Sequence, residues 1–101
     1  MKTDPNIKDN YGETPLYVAS RNGHLDIVKC LVVECKADPN IKDNYGETPL
    51  YVASEKGYLK IVKYLVEECK ADPNFAADIP RCLEIAKLKG NDELIKILTS
   101  N

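Results

Sequence analysis

DPNIKDNYGETPLYVASEKGYLKIVKYLVEECKA, residues 38–71, is the stretch whose reading decides the fold. The 34 residues before it, 4–37, read DPNIKDNYGETPLYVASRNGHLDIVKCLVVECKA. Six positions differ: Arg21/Glu55, Asn22/Lys56, His24/Tyr58, Asp26/Lys60, Cys30/Tyr64 and Val33/Glu67. A fixed period in this range marks a stack of small repeated units, each unable to bury its apolar side alone.

Each copy divides into a turn and two helices. Asp9-Asn10-Tyr11-Gly12 carries Asp first and Gly fourth, the chemistry of a β-turn, so residues 7–13 read as a hairpin-like finger. Thr14-Pro15 starts a helix: Thr caps it, and Pro at the first helical position loses no intrahelical hydrogen bond. Leu16, Val18 and Ala19 form its apolar face, and Asn22-Gly23 stops it. A second helix begins near Leu25, where Leu25, Val28 and Val32 form a stripe widened by Ile27 and Leu31. Thr48-Pro49 and Leu59, Val62 and Val66 repeat the pattern. Helices this short are unstable alone in water, so neighbours must supply the burial.

The third copy departs from the other two. Asp72-Pro73-Asn74 is kept, Asp78-Ile79-Pro80 replaces the finger tip, and one residue is lost before register returns at Leu83-Glu84-Ile85-Ala86. Leu94, Ile95, Ile97 and Leu98 give a last stripe, while Glu84, Lys87, Lys89, Glu93, Thr99 and Ser100 make this unit polar enough to be a terminal cap. The first copy, by contrast, has the same stacking residues as the internal one. Leu16, Val18, Ile27, Val28 and Leu31 are therefore expected to face solvent in part at the N-terminal end. Such a face suits either the C-terminal piece of a longer array or a homodimer through the uncapped first repeat.

With 101 residues the chain is expected to be one domain of modest stability, with copies at 4–37 and 38–71 and a degenerate capping copy at 72–101. A net charge of −2 with 30% charged residues gives no basic stripe for nucleic acid. No apolar run is long enough for a membrane span, and no signal-peptide pattern opens the chain. Cys35 and Cys69 sit one repeat apart, about 10 Å by helix packing, too far for a disulfide. With Cys30 and Cys82 they read as reduced thiols in an intracellular, cytoplasmic protein. There is no CxxC pair and His24 is the only histidine, so no metal site is expected. No acid–base pair, nucleophile arrangement or phosphate-cradling glycine loop stands out, so no catalytic residue and no cofactor are assigned.

Gly12-Glu13-Thr14-Pro15-Leu16-Tyr17-Val18-Ala19, Asn22 to Leu31, and Ala37-Asp38-Pro39-Asn40, with their counterparts from Gly46, Lys56 and Ala71, make the chain similar to the ankyrin-repeat family. The resemblance implies an all-α ankyrin-repeat solenoid of stacked helix-turn-helix units with hairpin-like fingers. It also implies a scaffold that binds another protein through a concave face of finger tips and inner helices. Mapped here, those positions are Lys8, Asn10, Tyr11, Glu13, Arg21 and Asn22, then Lys42, Asn44, Tyr45, Glu47, Glu55 and Lys56, then Leu88 and Lys89. The other reading is a purely structural spacer or stack extension. Tyr17 and Tyr51 stand where the family has a histidine that knits neighbouring repeats. Cys35-Lys36 and Cys69-Lys70 stand where it has a helix-closing glycine, and the extra residue of the 34-residue unit is expected to remove the need for a left-handed backbone there. Asn40 and Asn74 lie where some repeats of the family are hydroxylated, but turn hydrogen bonding explains them better.

Overall fold

The computed structural model describes residues 4–100; the lead-in Met1–Thr3 and Asn101 lie outside them. In chain order come α1 (Pro15–Arg21), α2 (Leu25–Lys29) running into a π-helical turn (Cys30–Glu34), α3 (Pro49–Lys56), α4 (Leu59–Cys69), the short α5 (Pro73–Ala76), α6 (Ile79–Leu88) and α7 (Asp92–Thr99). Among the described residues there is no strand.

The capping chemistry starts the helices where the sequence places them. Thr14 Oγ1 accepts from the Tyr17 N–H at 3.2 Å, and Thr48 Oγ1 from the Tyr51 N–H at 3.1 Å. Each helix pair folds back on itself, and the pairs stack. α1 packs on α3 and α3 on α6, forming an inner row; α2 packs on α4 and α4 on α7, forming an outer row. Extents of 44 × 25 × 24 Å are those of a short solenoid. One continuous core runs through it, from Leu16 and Val28 through Leu50, Ile61, Val62 and Leu65 to Cys82, Leu94 and Leu98.

The N-terminal face is apolar, but its membership differs from expectation. Ile7, Pro15 and Ile27 are exposed and Val18 is half-buried, whereas Leu16 and Val28 are fully buried and Leu31 partly so. The reason is directional: Leu16 and Val28 belong to the core that α1 and α2 share with the next pair. Only residues on the opposite side of the pair are left for solvent.

The helix-closing turns also correct the sequence reading. Lys36 does adopt a left-handed backbone, φ 56°, as the one non-glycine residue to do so among those described. The extra residue widens the turn rather than relieving it: the Ala37 N–H reaches the Leu31 carbonyl at 2.9 Å, one residue further than the usual capping bond. In the second copy Lys70 stays right-handed, φ −62°, and α4 runs unbroken to Cys69. The third unit has no finger. In its place Asp72 caps α5, and α6 starts directly after Asp78.

Candidate functional site

The fingers are rigid because one carboxylate organises each. Asp9 Oδ1 accepts from the Tyr11 and Glu13 N–H groups at 2.9 and 2.8 Å, and the Gly12 N–H closes the turn on the Asp9 carbonyl at 3.0 Å. Asp43 does the same for Tyr45 and Glu47 at 2.9 and 2.8 Å. Neighbouring fingers are tied together: the Asn44 N–H donates to the Tyr11 carbonyl at 3.0 Å, and Asn44 Nδ2 donates to the Asn10 carbonyl at 3.1 Å. This frame leaves the two tyrosine rings outside. Tyr11 is 67% exposed and Tyr45 82% exposed.

At the base, Asp38 and Asp72 hold the linking turns in the same way. The Asn40 N–H donates to Asp38 Oδ1 at 2.9 Å, and the Asn40 side chain donates to Asp72 Oδ2 at 2.9 Å. The Asn74 N–H donates to Asp72 Oδ1 at 2.9 Å, so both asparagines have turn roles. The Asn40 side chain, followed by the Asn74 N–H, holds the Asp72 carboxyl below its ordinary range.

On the inner row, corresponding positions of the two copies have different partners. In the first pair Arg21 forms an ion pair with Glu13 at 2.6 Å. Its counterpart Glu55 instead faces Glu47, whose carboxyl is pushed up by burial first and then by Asp43 and Glu55. Tyr17 is buried and donates its hydroxyl to Glu47 Oε1 of the next finger at 3.3 Å. Burial first, and then the Asp43 and Glu47 carboxylates, push its hydroxyl well above the ordinary tyrosine value. Tyr51 lies beneath Arg81, whose guanidinium carbon is 4.4 Å from the ring centroid and whose Nη1 donates to the Gly46 carbonyl. A tyrosine thus joins repeats in both places, by a hydrogen bond in one and by cation–π stacking in the other.

Removing the Tyr17 hydroxyl separates these roles. Tyr17→Phe is expected to destabilise by about 0.5–1.5 kcal/mol, the net worth of a lost hydrogen bond. Tyr51→Phe keeps the ring under Arg81 and is expected to stay within about 0.5 kcal/mol of the parent. Urea denaturation of the two variants checks both values.

Of the positions named from the sequence, Lys8, Asn10, Tyr11, Asn22, Lys42, Asn44, Tyr45, Lys56, Leu88 and Lys89 are exposed. Glu13, Arg21, Glu47 and Glu55 are half-buried. The bonding divides them. Glu13, Arg21, Asn44 and Glu47 hold the scaffold together. Tyr11, Tyr45 and Leu88, the last 83% exposed at the end of α6, present large apolar surface to solvent. Arg81, Asp43 and Asp78 were not singled out from the sequence, although Arg81 stacks on Tyr51 and Asp78 Oδ2 accepts from Thr48 Oγ1. For Arg81 and Asp78 the signal was hidden, because both sit where the third copy loses register.

Among the described residues, no group of three or more His, Cys, Asp or Glu side chains is placed to hold a metal ion. No described helix is long and apolar enough to cross a membrane. No curated protein matches the chain. A family model described as ankyrin repeats (3 copies) matches residues 1–77. That match covers both complete copies and the start of the third, and it agrees with the stacked helix pairs and tied fingers. The chain belongs to the ankyrin-repeat family, whose members are generally protein-interaction modules without catalysis.

Proposed function

We propose that the chain is a non-catalytic, intracellular recognition module that binds another protein through its finger tips and inner helices, with residues 1–101 acting as one domain. The observation that carries this reading is the pair of exposed tyrosines, Tyr11 and Tyr45, each on a finger whose backbone is already fixed. A fixed frame loses little conformational entropy on binding, and a tyrosine ring gives large contact area with few rotatable bonds. The partner's matching surface is an apolar or aromatic patch against Tyr11, Tyr45 and Leu88, with a cation facing Glu47 and Glu55. Arg81 already approaches that acidic pair from one side and lowers the Glu47 value in part.

Tyr45→Ala tests it. Partner affinity is expected to fall by tenfold or more, on the order of 1–2 kcal/mol as at an interface hot spot, while the thermal midpoint stays within experimental error. A lower midpoint with unchanged binding would make the ring structural.

A second reading is favoured by the N-terminal face. Ile7 is 59% and Ile27 50% exposed, while Ile61, the counterpart of Ile27, is 2% exposed beneath the first pair. A homodimer would bury this face against its own copy. Light scattering over a concentration range decides it: a strict monomer at high concentration removes the homodimer. A spacer role predicts instead that no protein partner depends on the finger tips.

A further inference from the structure

The two near-identical copies differ in one piece of backbone. In the second, α4 is a plain α-helix through Tyr64 to Cys69. In the first, the same stretch is a π-turn over Cys30–Glu34, closed by the Cys35 N–H donating to the Cys30 carbonyl at 3.1 Å. In an α-helix, residues five apart point about 140° away from each other with Cα atoms roughly 8–9 Å apart, from 1.5 Å rise and 2.3 Å radius. That is beyond the span of about 7 Å a disulfide can bridge. An i→i+5 bond tightens the axial spacing and brings residue 35 beneath residue 30. The turn therefore does for Cys30 and Cys35 what the α-helix cannot do for positions 64 and 69.

The four thiols fall into two groups. Cys30 and Cys35 are exposed, and Cys69 and Cys82 are buried. Burial pushes the Cys69 thiol up to about 11 and the Cys82 thiol up to about 12, which keeps both protonated and inert. Cys30 is raised chiefly by the neighbouring Glu34 carboxylate, then by burial, and then by the Cys35 thiol itself. Only the first copy has this pair, because the second has Tyr64 in place of Cys30.

We propose that Cys30 and Cys35 form a redox-active dithiol that closes to an intramolecular disulfide across the π-turn, using glutathione disulfide as the oxidant. Cys35, exposed at the end of the turn, gives up its proton and attacks first. The S–S bond of glutathione disulfide breaks, a Cys35–glutathione mixed disulfide forms, and the departing glutathione thiolate takes up a proton. The Cys30 thiolate then attacks the Cys35 sulfur, the mixed disulfide breaks, and the second glutathione leaves and is protonated. Two protein thiols are oxidised to one disulfide, one glutathione disulfide is reduced to two glutathiones, and two protons pass from the cysteines to the leaving groups.

The test equilibrates the whole chain in glutathione redox buffers, quenches with acid, alkylates the remaining thiols and maps the products by mass spectrometry. The native chain is expected to hold the Cys30–Cys35 bridge with an equilibrium constant about tenfold or more above that of the same chain in denaturant, since the turn pre-positions the sulfurs. Cys69 and Cys82 are expected to remain alkylatable only after unfolding. Cys30→Ser is expected to stop at the mixed disulfide. A second readout needs no variant: if the native turn favours the ring, the oxidised chain must melt at a higher temperature than the reduced chain. Closure no more favourable than in denaturant, accumulation of mixed disulfides on the native chain, or a lower melting temperature after oxidation would each overturn the proposal.

Discussion

Ile61→Ala is expected to lower the free energy of unfolding by about 2–5 kcal/mol, the range for truncating a buried isoleucine. Ile27→Ala, the same change 34 residues earlier, is expected to stay within about 0.5–1 kcal/mol of the parent, as for a surface residue. The two residues sit in nearly the same local sequence, Leu-Asp-Ile-Val-Lys at 25–29 and Leu-Lys-Ile-Val-Lys at 59–63, so local propensity cannot separate them. Stacking does. Ile61 sits in the core under the first helix pair, and Ile27 has no pair above it among the described residues. For a small repeat stack, a loss of this size at Ile61 is a large share of the total stability. Chemical denaturation of both variants reads the difference, and equal losses would mean that the Ile27 face is covered in solution.

Gly12→Ala and Gly46→Ala form the second contrast. Both glycines have a left-handed backbone, φ 76° and 77°, so either alanine carries roughly 1–2 kcal/mol of local strain. The surroundings then differ. A Cβ on Gly12 would lie 2.5 Å from Asn44 Oδ1 and 2.8 Å from the Asn44 backbone nitrogen, whereas one on Gly46 meets nothing within 4 Å. The Asn44 nitrogen cannot move without losing its bond to the Tyr11 carbonyl, and the side chain is tied to Asn10. Gly12→Ala is therefore expected to cost about 1–3 kcal/mol more than Gly46→Ala, through the inter-finger hydrogen bonds it breaks. Thermal melts of the two variants give the ordering. Equal midpoints would show that the fingers are not tied as described.

What the sequence revealed was what local chemistry and periodicity control. Thr-Pro caps, Asp-led finger turns and the apolar stripes act within a few residues, so each copy could be read alone. Partners one unit away could not be read this way. Tyr17 and Tyr51 sit in identical sequence, yet one finds Glu47 and the other Arg81, because the unit that follows each is different. The same holds for the closing turns. Identical Cys-Lys-Ala segments end one helix with a π-turn and a left-handed Lys36, and the other with a straight α4. An inserted residue can be absorbed in a helix or in a loop at similar energy, so packing decides which. The finger positions proposed for binding were legible through the family resemblance. Their division into scaffold bonds and exposed rings depends on partners one repeat away, which a single copy does not contain.

The most direct test of the recognition role compares protein capture by the whole chain with capture by a Tyr11→Ala, Tyr45→Ala, Leu88→Ala triple variant and by an outer-row control, Lys63→Ala. Circular dichroism and thermal melts are run alongside to confirm that all three fold. A partner held by the parent and the control but lost from the triple variant, with melting temperatures unchanged, is the result predicted. The same partner held equally by all three folded proteins would contradict recognition through the fingers and inner helices.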